Sequence, residues 1–461
     1  LKPYKRSDIY VYFYFKSLDL LRDGGTLTYI TSNSWLDVNY GQRLQEGLLR
    51  FGDLKYLLDN RAGPIFDDAA VNTVITMVNR AATQETLSGN VGFVTFYDYY
   101  EDIVGTDIMK RIFATNAANT SQIDYRNETL QYTPIENGRN VTITEASLWR
   151  LGGGSVETTN GDEPDQVFSE GLGVDGLQAG LGTYQGDQDS PKPSGSYTGE
   201  ENWSLYIQAP DVYLRILNQN EEELTTLGEI AHVFRGMRTG KNTYFYPDSE
   251  VINKFDIPEE YLEPVVKSPR NLNQSLVNEE HLDTKLLLLP KDARKDDRLG
   301  KYIKYGEKNG VDSSSAASNP WYSLKEIAQQ AEVFWQGAHY TEHVAYYSDY
   351  PLYLDQRFYG ILPKNDQPVS STLIASILNS TFYALSKVIS GRTSSGRSID
   401  TAESDIQNYP FPDPEKLAES DKERIIDAFD DLAVSETEAV YQEFDKSERK
   451  ELDEAVFDLF N

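Results

Sequence analysis

The spacing of apolar positions changes along this chain, and each change predicts a different element. Residues 8–23 are apolar or aromatic nearly all round a helical wheel: Ile9, Tyr10, Val11, Phe13, Tyr14, Leu18, Leu20 and Leu21. That length, with a stop at Asp23-Gly24-Gly25, predicts a buried helix ended by glycine. Thr26 to Thr31 reads as a short β-branched strand. Ser32-Asn33-Ser34 reads as a turn with helix-capping chemistry. Residues 40–51 form an amphipathic helical pattern, and Leu54 to Leu58 and Ala70 to Val78 read as strands. Helix, strand, helix, strand, strand is the alternation of an α/β sheet with helices on its faces.

The pattern then lapses. Residues 80–150 hold a strand-like FVTFYDYY and a polar stretch, and residues 151–202 are rich in Gly, Ser, Asp and Pro, a linker or insertion composition. Order resumes in 203–410, with DVYLRILNQ as a helix and a new set of apolar runs from Leu227. Within it EVFWQ, HVAYY and RFYGIL read as strands, and Leu373 to Ser390 as one helix. Residues 411–461 carry helical apolar spacing (Ile425, Ile426, Phe429, Leu432) on an acidic background, as surface helices would. The expected organisation is 1–150, 151–202, 203–410 and 411–461.

Composition limits the chemistry. There is no cysteine, which excludes disulfides and thiolate metal sites. His339 and His343 have i, i+4 spacing, but they sit among β-formers without the HExxH glutamate, and we read them as ordinary polar histidines rather than ligands. No apolar run reaches the ~18 residues of a membrane helix. The chain starts at Leu1 with no leader pattern behind it, so a cytoplasmic protein cut from a longer one is expected. The 73 acids against 43 bases give a net charge of -30, with acids spread along the chain as in proteins of a salt-loaded cytoplasm. At ~1 M salt the Debye length is ~3 Å, so this charge does not exclude a polyanion as ligand. One segment runs the other way: Lys291, Arg294, Lys295, Arg298, Lys301, Lys304 and Lys308 outnumber the acids of residues 291–310. It reads either as a phosphate stripe or as a solvated helix.

The order of short motifs resembles that of N6-adenine DNA methyltransferases of the TaqI type and their larger type IIG restriction–modification relatives. Asp8-Ile9-Tyr10 through Phe13, with Leu20-Leu21-Arg22-Asp23-Gly24-Gly25, match that family's helix. Ile30 through Trp35-Leu36 matches the next strand and its turn, and Ile65-Phe66 with Val71 to Val78 matches a later one. Past the linker, Leu227-Gly228-Glu229, Arg235-Gly236-Met237-Arg238-Thr239-Gly240, Pro264 to Arg270, Trp321-Tyr322, Phe358 to Pro363 and Leu378-Asn379-Ser380 follow in the family's order. The resemblance implies a partial S-adenosylmethionine-dependent, Rossmann-like methyltransferase sheet in 1–150, followed by a TaqI-like mixed α+β target-recognition domain. It implies double-stranded DNA as partner and S-adenosylmethionine as cofactor, with Tyr10 and Phe13 lining the cofactor pocket. Phe66 would be the platform on which a flipped adenine stacks, a contact of ~1–3 kcal/mol.

Two glycine-punctuated turns, RGMRTGKN and SGRTSSGRS, offer Arg235, Arg238 and Lys241, and Arg392 and Arg397, to DNA, with Lys267 and Arg270 as further candidates. The family's Asn/Asp-Pro-Pro-Tyr/Phe tetrapeptide and the glycine-rich cofactor loop before it do not occur in the sequence, and Asn319-Pro320 lacks the second proline. The expectation is therefore a chain that carries DNA recognition, is inactive alone, and depends on a missing N-terminal catalytic half. The competing readings are a DNA-specificity subunit that recruits a separate catalytic chain, and a halophilic protein-interaction module without a DNA role.

Overall fold

In the computed structural model the first strand, β1 (Thr26–Ser32), forms one edge of a seven-stranded sheet. The structure describes residues 2–5, 7–37, 39–62, 72–81, 86–99, 102, 120–157, 191–199, 201–313, 319–394 and 398–460. The chain divides into two compact units, Leu1–Glu221 with Val388–Arg397, and Glu222–Lys387 with Ser398–Asn461.

The first unit is built on that sheet. After β1 come β2 (Gly52–Asn60), β3 (Thr73–Arg80), β4 (Asn90–Phe96), β5 (Ser121–Tyr125), β6 (Glu128–Ile135) and β7 (Gly138–Thr144), in the spatial order β1-β3-β2-β4-β7-β6-β5. Only β2 and β4 run parallel; the other neighbours are antiparallel. The β-branched run predicted at 70–78 is β3, and it sits between β1 and β2 with both faces covered, which is why it reads as nearly continuous apolar sequence.

Helix α1 (Ile9–Leu20) departs from its predicted burial. Val11, Tyr14 and Leu18 are buried, but Ile9, Tyr12, Phe13 and Leu20 are exposed. The all-round burial predicted for residues 8–23 is not observed; one face of α1 is exposed. The helix starts on the Asp8 carboxylate, which accepts from the Ile9 N–H at 2.6 Å, and stops before extended Leu21, with Gly24 supplying the turn at φ +72. Helix α2 (Gln42–Phe51) follows as expected, its Gly47 leaving room for the Phe15 ring of α1.

An aromatic chain fixes the interior of this unit. Tyr14 meets Trp35 at 6.3 Å, Trp35 meets Trp203 at 5.9 Å, Trp203 meets Phe93 at 5.9 Å and Phe93 meets Tyr206 at 4.9 Å between ring centroids. Trp203 and Tyr206 belong to the stretch that resumes after the linker, so this stretch packs on the first sheet. Its carbonyls at Ile207 and Ala209 accept from the buried Arg139 guanidinium, and Thr95 donates to Ile207 at 2.7 Å.

The second unit is a six-stranded mixed sheet. Its strands β8 (Ala231–Arg235), β9 (Leu262–Val266), β10 (Lys285–Leu287), β11 (Gln330–Gln336), β12 (Ala345–Leu354) and β13 (Phe358–Pro363) lie in the order β8-β13-β11-β12-β9-β10. The single parallel pair is β9 with β12. The predicted helix at 373–390 is two, α3 (Ser371–Leu378) and α4 (Thr381–Ser390), bent by 73° at Asn379-Ser380. The bend has a cause: the Asn379 amide bonds the Ala345 and Ala375 carbonyls, and its oxygen accepts from the Ala345 N–H. Among the described residues no single helix is long and apolar enough to cross a membrane. The acidic C-terminal stretch forms α5 (Glu419–Val434) and α6 (Ser447–Phe457), whose Ile425, Phe429, Leu432, Leu452 and Val456 are buried while most of their acids are exposed.

Candidate nucleic-acid interface

Three turns from distant parts of the second unit meet at the end of β8. The first is the Arg235-Gly236-Met237-Arg238-Thr239-Gly240-Lys241 turn, the second follows β9 at Lys267, and the third is Asp355-Gln356-Arg357 between β12 and β13. Main-chain hydrogen bonds hold them: Gly236 N–H to Phe358 O at 2.8 Å, Met237 N–H to Leu354 O at 2.7 Å, Gln356 N–H to Met237 O at 3.0 Å and Asp355 N–H to Val266 O at 3.0 Å. Gly236 is required by this approach, since a Cβ there would lie 2.2 Å from the Asp355 carbonyl oxygen. Gly240 turns the chain at φ +74.

The charges are set on this scaffold. Asp355 is 1% exposed and accepts from the Tyr246 hydroxyl at 2.8 Å and the Arg357 N–H at 3.2 Å. Burial, with the Asp355 charge behind it, raises the Tyr246 hydroxyl far above its ordinary range, so it remains a donor. The Arg235 Nε donates to Gln356 O at 3.1 Å and its guanidinium lies 5.8 Å from the Tyr359 ring centre. The Lys267 ammonium lies 5.3 Å from the Tyr246 ring centre, and Arg357 Nη1 donates to the Lys267 carbonyl at 2.9 Å. Arg238 and Lys241 are exposed on the first turn, and Arg270 is exposed on the 3-10 turn just beyond Lys267.

The fold thus brings Arg235, Arg238, Lys241 and Lys267 onto one end of the second sheet, with Arg270 close behind in sequence. Arg357 was not singled out by the sequence; its signal is an Asp-Gln-Arg turn between two β-rich runs. Arg392 belongs to the other unit, where its charge acts on the Tyr40 hydroxyl. Arg397 and Phe66 lie outside the described residues.

The basic segment 291–310 resolves differently. It includes a helix over Asp297–Lys308, and Lys291 pairs with Glu326, Arg294 with Glu307, Lys295 with Asp292, and Arg298 with Asp256 and Asp296. Most of its cations already face carboxylates, as on a solvated helix. The two histidines are not surface groups either. His339 and His343 are buried against Trp335, with ring centres 5.1 and 5.5 Å away, and burial holds both well below the usual imidazole range. Among the described residues no group of His, Cys, Asp and Glu could hold a metal ion.

In the first unit, Tyr10 is half-buried and its hydroxyl shares a 2.9 Å hydrogen bond with that of Tyr40; desolvation first, then Tyr40, raises its pKa strongly. Phe13, one turn on, is 57% exposed. The outer edge of β1 has no partner strand among the described residues, and Ile30 on it is exposed. At the far end of β2, Asp59 is buried and pushed up to about 6 by desolvation, with Arg61 at 3.8 Å pulling the other way.

Residues 2–66 match the Eco57I restriction–modification methylase model, and residues 200–447, more than half of the chain, match the C-terminal domain of the type II methyltransferase M.Eco57I. The type II methyltransferase M.AccI of Acinetobacter calcoaceticus is 28% identical over 137 residues, 27% of this chain and 24% of that protein. Among solved structures, the type IIL restriction–modification enzyme MmeI, determined in complex with DNA, aligns with a TM-score of 0.51 at 12% identity, over 98% of this chain and 49% of MmeI. The type IIG restriction endonuclease BpuSI aligns over 99% of this chain and 49% of its own, at 14% identity and a TM-score of 0.42. The chain therefore spans about a quarter of the curated relative and about half of the two enzymes. With residues 200–447, just over half of the chain, laid over that domain model and residues 2–66 over the methylase model, this chain belongs to the Eco57I-type restriction–modification methyltransferases.

Proposed function

We propose that this chain provides site recognition for a DNA methyltransferase that moves a methyl group from S-adenosylmethionine to adenine N6. The observation that carries the reading is the convergence of Arg235, Arg238, Lys241 and Lys267 on one end of the second sheet, within the segment that matches the M.Eco57I C-terminal domain. Arginine and lysine on glycine-relieved turns are what a duplex requires: charge for phosphates, and donors for base edges. Within the expected 203–410 segment, residues 222–387 and 398–410 act as the target-recognition domain, closed by the acidic helices of 411–461, while 203–221 belongs to the first unit.

Catalysis needs groups this sequence does not contain. The Asn/Asp-Pro-Pro-Tyr/Phe tetrapeptide, which would hold the adenine amine, occurs nowhere in the 461 residues. The exposed apolar positions of α1, and the outer edge of β1, unpaired among the described residues, support docking of a catalytic half that carries it. The fit to S-adenosylmethionine is partial: Phe13 offers an open aromatic surface and Tyr10 a hydroxyl anchored on Tyr40, while a glycine-rich loop must come from elsewhere. The cofactor would supply the methyl group; Tyr10 and Phe13 would flank it. Phe66 would stack the flipped adenine. The acid excess supports a working environment of molar salt.

The test is DNA binding and methyl transfer by the chain as it stands. Fluorescence anisotropy with labelled duplexes should show binding that weakens in Arg238→Ala, and tritiated S-adenosylmethionine should leave no label on the DNA. Absence of binding from 50 mM to 1 M KCl (about the range over which phosphate contacts are lost) would end the recognition reading. Methyl incorporation would end the claim of inactivity. A second reading, favoured by the lack of the tetrapeptide, is a DNA-specificity subunit with a separate catalytic partner. Finding the tetrapeptide encoded in frame ahead of Leu1 would decide against it.

A further inference from the structure

We propose that Arg357, positioned by the buried Asp355, contacts a DNA phosphate beside Arg235, an inference that rests on the recognition role given above. The two residues sit differently in the turn they share. Asp355 is 1% exposed, whereas the Arg357 side chain is 54% exposed. Asp355 spends one oxygen on the Arg357 N–H and the other on the Tyr246 hydroxyl, and stands 3.9 Å from the guanidinium. It orients the arginine without capping it. The Lys267 carbonyl takes Arg357 Nη1, which fixes the side chain along the surface and leaves its other N–H groups for a ligand.

Arg235 is held on the same turn from the opposite strand. Its Nε is committed to the Gln356 carbonyl, the residue immediately before Arg357. Two guanidiniums, each with one nitrogen fixed by main chain, therefore flank a single turn. Preorganisation of this kind lowers the entropy lost on binding a ligand. With Nη1 held by the Lys267 carbonyl, the remaining guanidinium donors suit a phosphate oxygen, which needs only a charged donor rather than a set fork. The exposed cations of the 291–310 segment lack this arrangement, since Lys291, Arg294, Lys295 and Arg298 each face a carboxylate side chain. Arg235 and Arg357 are anchored instead on main-chain carbonyls, with the buried Asp355 carboxylate 3.9 Å from the Arg357 guanidinium, in a chain of net charge -30.

The experiment is a salt titration of duplex binding by the full chain, from 50 to 500 mM KCl (roughly the range over which counterion release is read). Arg357→Gln, which keeps neutral donors, should reduce the slope of log affinity against log salt by about 1, and weaken binding by a similar factor on duplexes of different sequence. Arg357→Lys should retain the slope. Arg298→Ala, an exposed and already paired cation, should leave it unchanged. An unaltered slope in Arg357→Gln, with the unsubstituted chain still binding, refutes the phosphate contact and leaves the recognition role standing. A loss confined to one duplex sequence refutes it as well, by pointing to a base. If the unsubstituted chain binds no DNA at the lowest salt, both inferences fall together. Matching circular dichroism of the variants separates these outcomes from misfolding.

Discussion

Gly236→Ala is the sharpest probe of the site's architecture. Its added Cβ would lie 2.2 Å from the Asp355 carbonyl oxygen, and 2.8 Å from both the Asp355 carbonyl carbon and the Leu354 carbonyl oxygen. All three are main-chain atoms, so no side-chain rotation relieves the clash, and β8 must move away from the 355–357 turn by roughly 1 Å to restore ordinary packing. That movement strains the Gly236, Met237 and Gln356 N–H bonds that join the two turns. Overpacking at ~1–3 kcal/mol, with two such bonds weakened at ~1 kcal/mol each, gives a local cost of about 3–5 kcal/mol. Because the chain has two compact units, a single unfolding midpoint would mix them. Amide hydrogen exchange reads the site directly: protection of Met237 and Gln356 should fall by at least about a hundredfold, at ~1.4 kcal/mol per tenfold. Duplex affinity should fall with it, because Arg235 and Arg357 lose their common support. Gly240→Ala is the comparison; its φ of +74 costs about 1 kcal/mol. Unchanged exchange and unchanged DNA affinity in Gly236→Ala would show that the three turns do not form one unit.

Three further outcomes are expected. Trp203→Ala removes the fully buried ring between Trp35 and Phe93 and should destabilise the first unit by ~3–5 kcal/mol; unaltered amide-exchange protection of the first-unit strands would mean that the stretch after the linker is not part of its core. Asp59 has a folded pKa of about 6 against an ordinary 3.8, so its contribution is fully present below the ordinary value and is lost as pH rises through about 6. At ~1.4 kcal/mol per unit this amounts to about 3 kcal/mol, and Asp59→Asn should flatten the fall in urea stability between pH ~4 and ~6; an identical pH profile in the variant would refute it. Raising KCl from ~0.1 to ~2 M should raise the thermal midpoint, since a net charge of -30 repels itself until it is screened; a flat or falling midpoint would remove self-repulsion as a factor.

Local sequence determined much of this protein. The β-branched runs became β1 and β3, the short apolar run at 54–58 became β2, the apolar spacing of residues 40–51 and 419–457 became amphipathic helices, and the glycines of RGMRTGK marked a turn that needs them. These follow from rules that act over a few residues: side-chain periodicity, β-branching, and backbone conformations open to glycine. Tertiary structure alone decided the rest. The insertion of β3 between β1 and β2 and the parallel pairing of β9 with β12 depend on hydrogen bonds between strands far apart in the chain. The joining of Arg235, Lys267 and Arg357 depends on the same pairing, because 122 residues separate the first from the last and no local pattern records which strand ends become neighbours. The exposed face of α1 marks the same limit: periodicity reports that a residue is apolar, but only packing decides whether anything covers it.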